Sequence, residues 1–348
     1  MKTFKYAVLI CTALMSGFMF TACSDDETSE NDENGNSEVK SELYTTRPTA
    51  GAGFQASYDE EGLLTGYIDC EGCAWEVVSH QPLKLKCYET YGNASESYEA
   101  TFTQNKNGII TSGKVVFNAI DPDDEEENYT QTLSFNCSYN KANQLSKISL
   151  SSVDQEFREG KKQTETLKGT ATLTYSDGKL IKSTGSYNGK DVGEEYKLTG
   201  SATYSYDNGM DNKMKQFGYC VLYTAVPTFN LEMFAPLLEI GMFGAPSTQL
   251  PSETLLSISE SSDGNSELWS EQEELSVMYA LNEDETIKTE KVFSKYSEGG
   301  YHNTDNFTFN YTYWISPISS QTIKQNAPSN AKRTRGFFKF PRIKRNAL

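Results

Sequence analysis

The stretch Ala171-Thr172-Leu173-Thr174-Tyr175-Ser176-Asp177-Gly178-Lys179-Leu180 decides the fold. Ala171, Leu173 and Tyr175 share one face of an extended chain, and Thr172, Thr174 and Ser176 share the other, a period of two that only a strand satisfies. Such a strand buries one face and wets the other. Asp177-Gly178 then supplies the positive φ that a tight hairpin needs. Leu180 begins the return strand, which must be antiparallel.

Working outward, the same alternation recurs. Ala202, Tyr204 and Tyr206 oppose Thr203 and Ser205, while Phe307, Phe309, Tyr311 and Tyr313 oppose Thr308, Asn310 and Thr312. Further turn dipeptides stand at Asn107-Gly108, Asn188-Gly189 and Asn208-Gly209. An approximate repeat, a tyrosine followed by turn residues and then Leu, Ile or Met, pairs Tyr58 with Leu63, Tyr139 with Leu145, Tyr175 with Leu180, Tyr206 with Met214, and Tyr279 with Ile287. Each copy is one hairpin, and a lone hairpin is marginal in water, so the copies must pack edge to edge. The expected fold is all-β: a large curved antiparallel up-and-down sheet or soluble barrel, forming one domain over 43–317. One segment departs from it. Over 225–251 the apolar residues Leu231, Met233, Phe234, Leu237, Leu238, Ile240, Met242 and Phe243 have near-helical spacing, which Pro236 interrupts. One or two short helices near 228–243 are expected to cover an end of the sheet, as a core plug or as the wall of a ligand cavity.

The flanks are different in kind. Residues 1–22 combine Lys2 and Lys5 with an apolar run from Ala7 to Phe20 and the small residues Thr21 and Ala22, as a signal peptide does. Phe20-Thr21-Ala22-Cys23 resembles the lipobox of bacterial lipoproteins, which implies cleavage before Cys23 and acylation of that cysteine. Residues 23–42 then form an acidic stalk with too little apolar surface to fold. Ser24-Asp25-Asp26-Glu27 resembles the export signal that sends Bacteroidetes lipoproteins to the outer face of the outer membrane, the periplasmic face being the alternative. The tail 318–348 is basic, with Lys332, Arg333, Arg335, Lys339, Arg342, Lys344 and Arg345. The chain as a whole has 48 acids, 31 bases and a net charge of −17, and so repels nucleic acid.

Catalytic and metal motifs are sparse. Only His80 and His302 occur, with no G-x-S-x-G elbow and no H-E-x-x-H, and the expectation is a chain that is not an enzyme. Cys70-Glu71-Gly72-Cys73 has zinc or redox spacing, but zinc needs two further ligands and only His80 and Cys87 are near. A redox pair ordinarily opens a helix, whereas the flanking residues alternate as strand. Cys87 and Cys137 fall on apolar strand faces, and a disulfide among Cys70, Cys73 and Cys87 competes with buried free thiols. Asp121-Pro122-Asp123-Asp124-Glu125-Glu126-Glu127 lacks calcium-loop spacing and reads as a solvated hairpin tip. No cofactor and no metal site is expected. Trp75, Trp269 and Trp314 are the candidate ligand-facing aromatics in a chain with 21 Tyr and 18 Phe.

Taken with the lipobox and stalk, the Tyr-turn-Leu hairpins and the apolar segment ending in Gly241-Met242-Phe243-Gly244 and Leu250-Pro251 resemble a family of Bacteroidetes lipoproteins known as a domain of unknown function with a porin-like fold. The resemblance covers about 43–317. It implies a strongly curved sheet or barrel, and it brings no activity. A membrane barrel would need an apolar band on every strand, and here the second face is Thr, Ser, Asn and Lys. The functional expectation is a non-enzymatic surface lipoprotein, held to a membrane through Cys23, that binds a glycan, lipid or protein through its curved sheet. A structural envelope component without a small-molecule ligand and a carboxylate-dependent hydrolase are the alternatives.

Overall fold

The computed structural model describes residues 46–315 apart from 70–71, 124–127, 159–160, 192–193, 208, 214, 228–233 and 263–266. Cys23, the signal peptide, the stalk with Ser24 to Glu27 and the basic tail lie outside the described residues.

Four short strands open the chain: β1 (Thr46–Gly51), β2 (Phe54–Tyr58), β3 (Leu64–Ile68) and β4 (Ala74–His80). Eight longer ones follow, β5 (Leu83–Tyr91), β6 (Ala94–Gln104), β7 (Ile110–Ile120), β8 (Tyr129–Tyr139), β9 (Leu145–Arg158), β10 (Lys161–Ser176), β11 (Lys179–Asp191) and β12 (Glu194–Ser205). An insertion then holds β13 (Met210–Asp211), α1 (Tyr219–Thr224), α2 (Ala235–Glu239) and β14 (Gln249–Leu250). Five strands complete the chain: β15 (Glu253–Ser262), β16 (Glu267–Leu281), β17 (Ile287–Glu298), β18 (Tyr301–Asn310) and β19 (Thr312–Ile315).

From β1 to β12 each strand pairs antiparallel with the next, β12 passes over the insertion to β15, the pairing continues to β18, and β19, which follows β18 along the chain, returns to β1. The circuit is a 17-stranded sheet, interrupted only at Tyr311 between β18 and β19, and it makes an almost closed barrel. Its inner face is the predicted apolar one. Ala171 is fully buried with Leu173 beside it, and Phe102, Phe117, Phe135, Tyr98 and Tyr187 are likewise enclosed. Outward rows are polar: Leu255 pairs with Glu274, Met278 with Lys291, and Phe293 with Ser276, so apolar residues alternate with charged or hydroxyl ones. No described outward row is continuously apolar. Among the described residues, no helix is long and apolar enough to cross a membrane.

Asp177-Gly178 is the predicted hairpin turn, with φ of 50° and 75°. Asn188-Gly189 is not a turn. It lies inside β11, where Gly189 pairs with Tyr196 across the sheet. A Cβ at Gly189 would stand 2.0 Å from the Tyr196 ring, so the glycine makes room for an aromatic neighbour instead of reversing the chain.

The insertion begins earlier than its apolar spacing suggests, since α1 starts at Tyr219. Phe234, Ala235, Leu237 and Leu238 are fully buried. Phe234 packs on Trp75 and Phe102 at ring distances of 5.2 and 5.4 Å, and Phe243 packs on Phe135 at 6.2 Å. Polar contacts fasten the segment across the hairpin loops. Ile110 N–H donates to the Met242 carbonyl at 2.6 Å, Ala245 N–H to Asn143 at 2.6 Å, and Gln144 Nε2 to Pro246 at 3.0 Å. The insertion is therefore a plug that fills one end of the barrel.

Those loops share a construction. Asp59, Asn105 and Asn140 each accept, through Oδ1, the backbone N–H four residues on, from Leu63, Ile109 and Gln144 at 2.7–3.1 Å. The fourth loop residue takes positive φ in each case, as Gly62, Gly108 and Asn143. An Asx side chain substitutes here for a backbone acceptor and fixes the reversal.

Candidate functional site

Strand length makes the barrel lopsided. At about 3.3 Å per residue, a 5-residue strand such as β3 spans roughly 17 Å and the 16-residue β10 roughly 50 Å, so the long strands project well past the short ones at the end away from the plug. Along their inward rows the chemistry changes with height. On β16 the row runs Tyr279, Val277, Leu275, then Glu273, Glu271 and Trp269; on β9, Ile148 and Leu150 give way to Ser152, Asp154 and Glu156. On β10 Leu167 is followed by Glu165, and on β6 Tyr98 is preceded by Glu96. Apolar residues pack near the plug. Acids, hydroxyls and aromatics line the far end.

The β15–β17 wall is the richest part of this lining. Trp269 Nε1 donates to Glu260 Oε2 at 2.9 Å. The Tyr296 hydroxyl lies 2.9 Å from Glu271 Oε2 and 3.1 Å from Glu298 Oε2. Ser294 donates to Glu273 across the β16–β17 pair. Trp269, Glu271, Tyr296 and Glu298 are half-buried, held in place yet reachable from solvent. Burial pushes the Glu271 carboxyl up to about 7; the Tyr296 hydrogen bond opposes this, and the like charges of Glu273 and Glu298 add to it. Burial also raises Glu273 and, across the barrel, Asp154. Carboxyls and a phenol beside flat rings can hydrogen-bond a polyhydroxylated ligand, and Glu271, raised to about 7, can donate as well as accept near neutral pH.

A second acid pair lies deeper. Glu290, fully buried on β17, accepts the Tyr219 N–H with both oxygens at 2.9 and 3.0 Å and the Tyr311 hydroxyl at 2.8 Å. Burial carries Glu290 up to about 7 and Glu239 of α2 up to about 8, the latter raised further by Glu290. Both acids are enclosed beside the plug: Glu290 is held by the Tyr219 N–H and the Tyr311 hydroxyl, while the Phe217 and Gly218 backbone near Glu239 only partly offsets its burial.

The three tryptophans have separate fates. Trp75 is 3% exposed, stacked on Tyr67 at 5.9 Å, with Nε1 donating to Asp69 Oδ2 at 2.9 Å; its rings belong to the core and offer no face to a ligand. Trp269 stands on the lining just described. Trp314 is half-buried on β19, against Tyr58 at 6.4 Å and the Arg47 guanidinium at 5.8 Å, far along the wall from Trp269. His80 ends β4 near the plug, and His302 lies on the outward row of β18 at the other end, so the two histidines are not brought together. Asp121 and Asp123 occupy the β7–β8 connection, where Asp121 Oδ1 accepts the Asp123 N–H at 2.9 Å.

The described cysteines are free thiols, and Cys87 is buried on its strand's apolar face as its spacing suggested. Asp69 N–H donates to the Cys73 carbonyl and Asp69 Oδ1 accepts the Cys73 N–H at 2.9 Å, the same Asx loop as in the hairpins above. Cys70 lies outside the described residues. Cys73 and Cys87 are buried free thiols, and Cys137 is a half-buried one that burial pushes up to about 12. Sequence spacing directed attention to His80 as a further ligand. The structure brings Glu89 to the cysteines instead, because Cys87 and Glu89 are two residues apart on β5 and share its inner face.

No family model matches the chain, and no curated protein does. Among solved structures, a porin-like protein from Bacteroides uniformis is similar at 18% identity and a TM-score of 0.38, over 75% of this chain and 90% of that one. A porin-like protein from Bacteroides vulgatus is similar at 13% identity and a TM-score of 0.40, over 74% and 91%. Scores this low carry no functional weight; the barrel stands on its own strand pairing.

Proposed function

We propose that this chain is a non-enzymatic lipoprotein of a bacterial envelope, anchored through Cys23 and displayed at the cell surface, which binds a glycan at the far end of its barrel. The observation that carries the reading is the acid-and-aromatic wall of β15–β17, where Trp269 and Tyr296 are fixed by Glu260, Glu271 and Glu298 and remain half-exposed. Ring faces take the apolar side of a sugar and neighbouring carboxyls take its hydroxyls. The plug removes the other end of the curved sheet from contention, since its aromatics are consumed in packing.

A glycan array probed with the intact chain, followed by calorimetric titration of Trp269→Ala and Glu271→Gln, tests the binding. Retention of at least one glycan class and a loss of tenfold or more in both variants are expected. Equal binding by the variants, or release of cleaved sugar during titration, refutes the proposal. Anchoring is tested by incorporation of labelled fatty acid, which Cys23→Ala should abolish, and display by proteinase digestion of intact cells.

A further inference from the structure

We propose that Cys73, Cys87 and Glu89 form a binding site for a soft divalent cation, with zinc the ion their chemistry fits best. The two sulfurs and a carboxylate oxygen lie within 4.8 Å of one another. Two thiolates on a tetrahedral zinc at about 2.3 Å stand about 3.8 Å apart, so the trio needs to contract by no more than about 1 Å to enclose the ion. Such a donor set selects its metal. Thiolates suit zinc and other borderline or soft ions, while calcium and magnesium call for oxygen donors throughout.

The fold presents these groups on stiff supports. Cys87 and Glu89 point the same way from β5, whose register with β6 runs without a shift from Leu83 to Tyr91. Cys73 closes the Asx loop ahead of β4. Asp69 secures it twice, donating its N–H to the Cys73 carbonyl at 3.1 Å and accepting the Cys73 N–H through Oδ1 at 2.9 Å, and its Oδ2 accepts the Trp75 indole N–H at 2.9 Å. Asp69 is thereby a positioning residue, aligning Cys73 toward Cys87 as outer-shell groups do in metal sites. Three protein ligands leave the fourth position to water. A disulfide between the two cysteines would use neither the carboxylate nor its alignment, and it is the competing outcome. The site lies on the β4–β5 wall and does not depend on the glycan reading, which concerns β15–β17.

The test uses the intact chain purified under reducing conditions without chelator. Metal content by mass spectrometry should give one zinc per chain, and cobalt substitution should produce thiolate-to-cobalt charge-transfer absorption. Cys73→Ser and Cys87→Ser should each abolish both signals, and Glu89→Gln should weaken zinc binding on the order of 10–100-fold in a competition with a chromophoric chelator. The glutamate variant keeps the test open if a cysteine variant fails to fold. Wild-type chain that takes up no metal, zinc retained in full by the variants, or a Cys73–Cys87 disulfide in the protein isolated from its envelope overturns the proposal.

Discussion

The Tyr206 hydroxyl donates to the carbonyl of Leu180 at 2.8 Å, reaching from the end of β12 to the start of the adjacent β11. The relation recurs around the barrel. Tyr139 donates to Ile110 and Tyr279 to Pro251, each crossing to the neighbouring strand near its first residue, and Tyr313 of β19 donates to Ile287 at the start of β17. A tyrosine placed just before a turn puts its ring on the core and spends its hydroxyl on a carbonyl that the sheet leaves without a ladder partner. Of the repeated tyrosines of the sequence, Tyr58, Tyr139, Tyr206 and Tyr279 are therefore latches between adjacent strands.

Removing one latch isolates its hydroxyl. Tyr279→Phe keeps the ring and deletes the bond to Pro251 together with the hydroxyl's hydrogen bond to Glu290, and a net loss of about 1–2 kcal/mol is expected, measured by urea denaturation. Tyr279→Leu should cost more, because ring packing goes as well. Equal stability of wild type and the Phe variant would show that neither hydrogen bond of the hydroxyl adds net stability.

Much of this was legible in the sequence, for a physical reason. Period-two burial is local, so Ala171, Leu173 and Tyr175 identify their own buried face without any knowledge of the partner strand. Turn chemistry was less so. Asn188-Gly189 has a turn's residues but a strand's neighbours, and only the Tyr196 ring across the sheet explains its glycine. The Asx loops do have a sequence signal, an Asp or Asn followed three residues later by Gly or Asn, at Asp59, Asn105 and Asn140, and also at Asp69, where it overlaps the C-x-x-C spacing. The far-end lining was out of reach. Glu271, Glu298 and Tyr296 meet only through the β16–β17 register, a relation among residues 25 apart that no local pattern encodes.

The motif Gly241-Met242-Phe243-Gly244 owes its last glycine to crowding. Gly244 has φ of 98°, and a Cβ there would stand 2.1 Å from the Asn143 carbonyl oxygen and 2.7 Å from the Tyr139 ring. Gly244→Ala must move backbone, displacing Phe243 from the core, and a loss of several kcal/mol is expected. Gly72→Ala is the control: its φ of 93° is equally unfavourable for alanine, but nothing lies within 4 Å. Chemical denaturation should show the Gly72 variant losing distinctly less. If the two losses match, backbone strain and not the clash sets the cost.

Surface ion pairs should matter little. Lys295 and Glu274 meet at 2.9 Å across β16–β17, with side chains 64% and 48% exposed. Solvent screening and side-chain entropy offset most of the attraction, so Lys295→Ala is expected to change stability by less than about 1 kcal/mol. A larger loss, relieved by high salt, would mean that the pair is more strongly coupled than its exposure implies.

The buried acids set a dependence on pH that runs opposite to ordinary acid denaturation. Glu290 and Glu239 hold their protons up to about 7 and 8 in the folded chain, against about 4.5 when unfolded, because burial penalises the charged form. Between those limits the folded state binds more protons than the unfolded one, so stability falls as pH rises. The contribution is complete below pH 4.5 and lost by about pH 8, each unit of difference being worth about 1.4 kcal/mol per group. Thermal unfolding at pH 5 and pH 8 should give the higher midpoint at pH 5. Glu290→Gln carries no charge at either pH and should flatten the difference while leaving stability at pH 5 nearly unchanged. A variant whose midpoint falls as steeply with pH as the wild type would assign the effect to repulsion among the exposed acids of a chain with net charge −17.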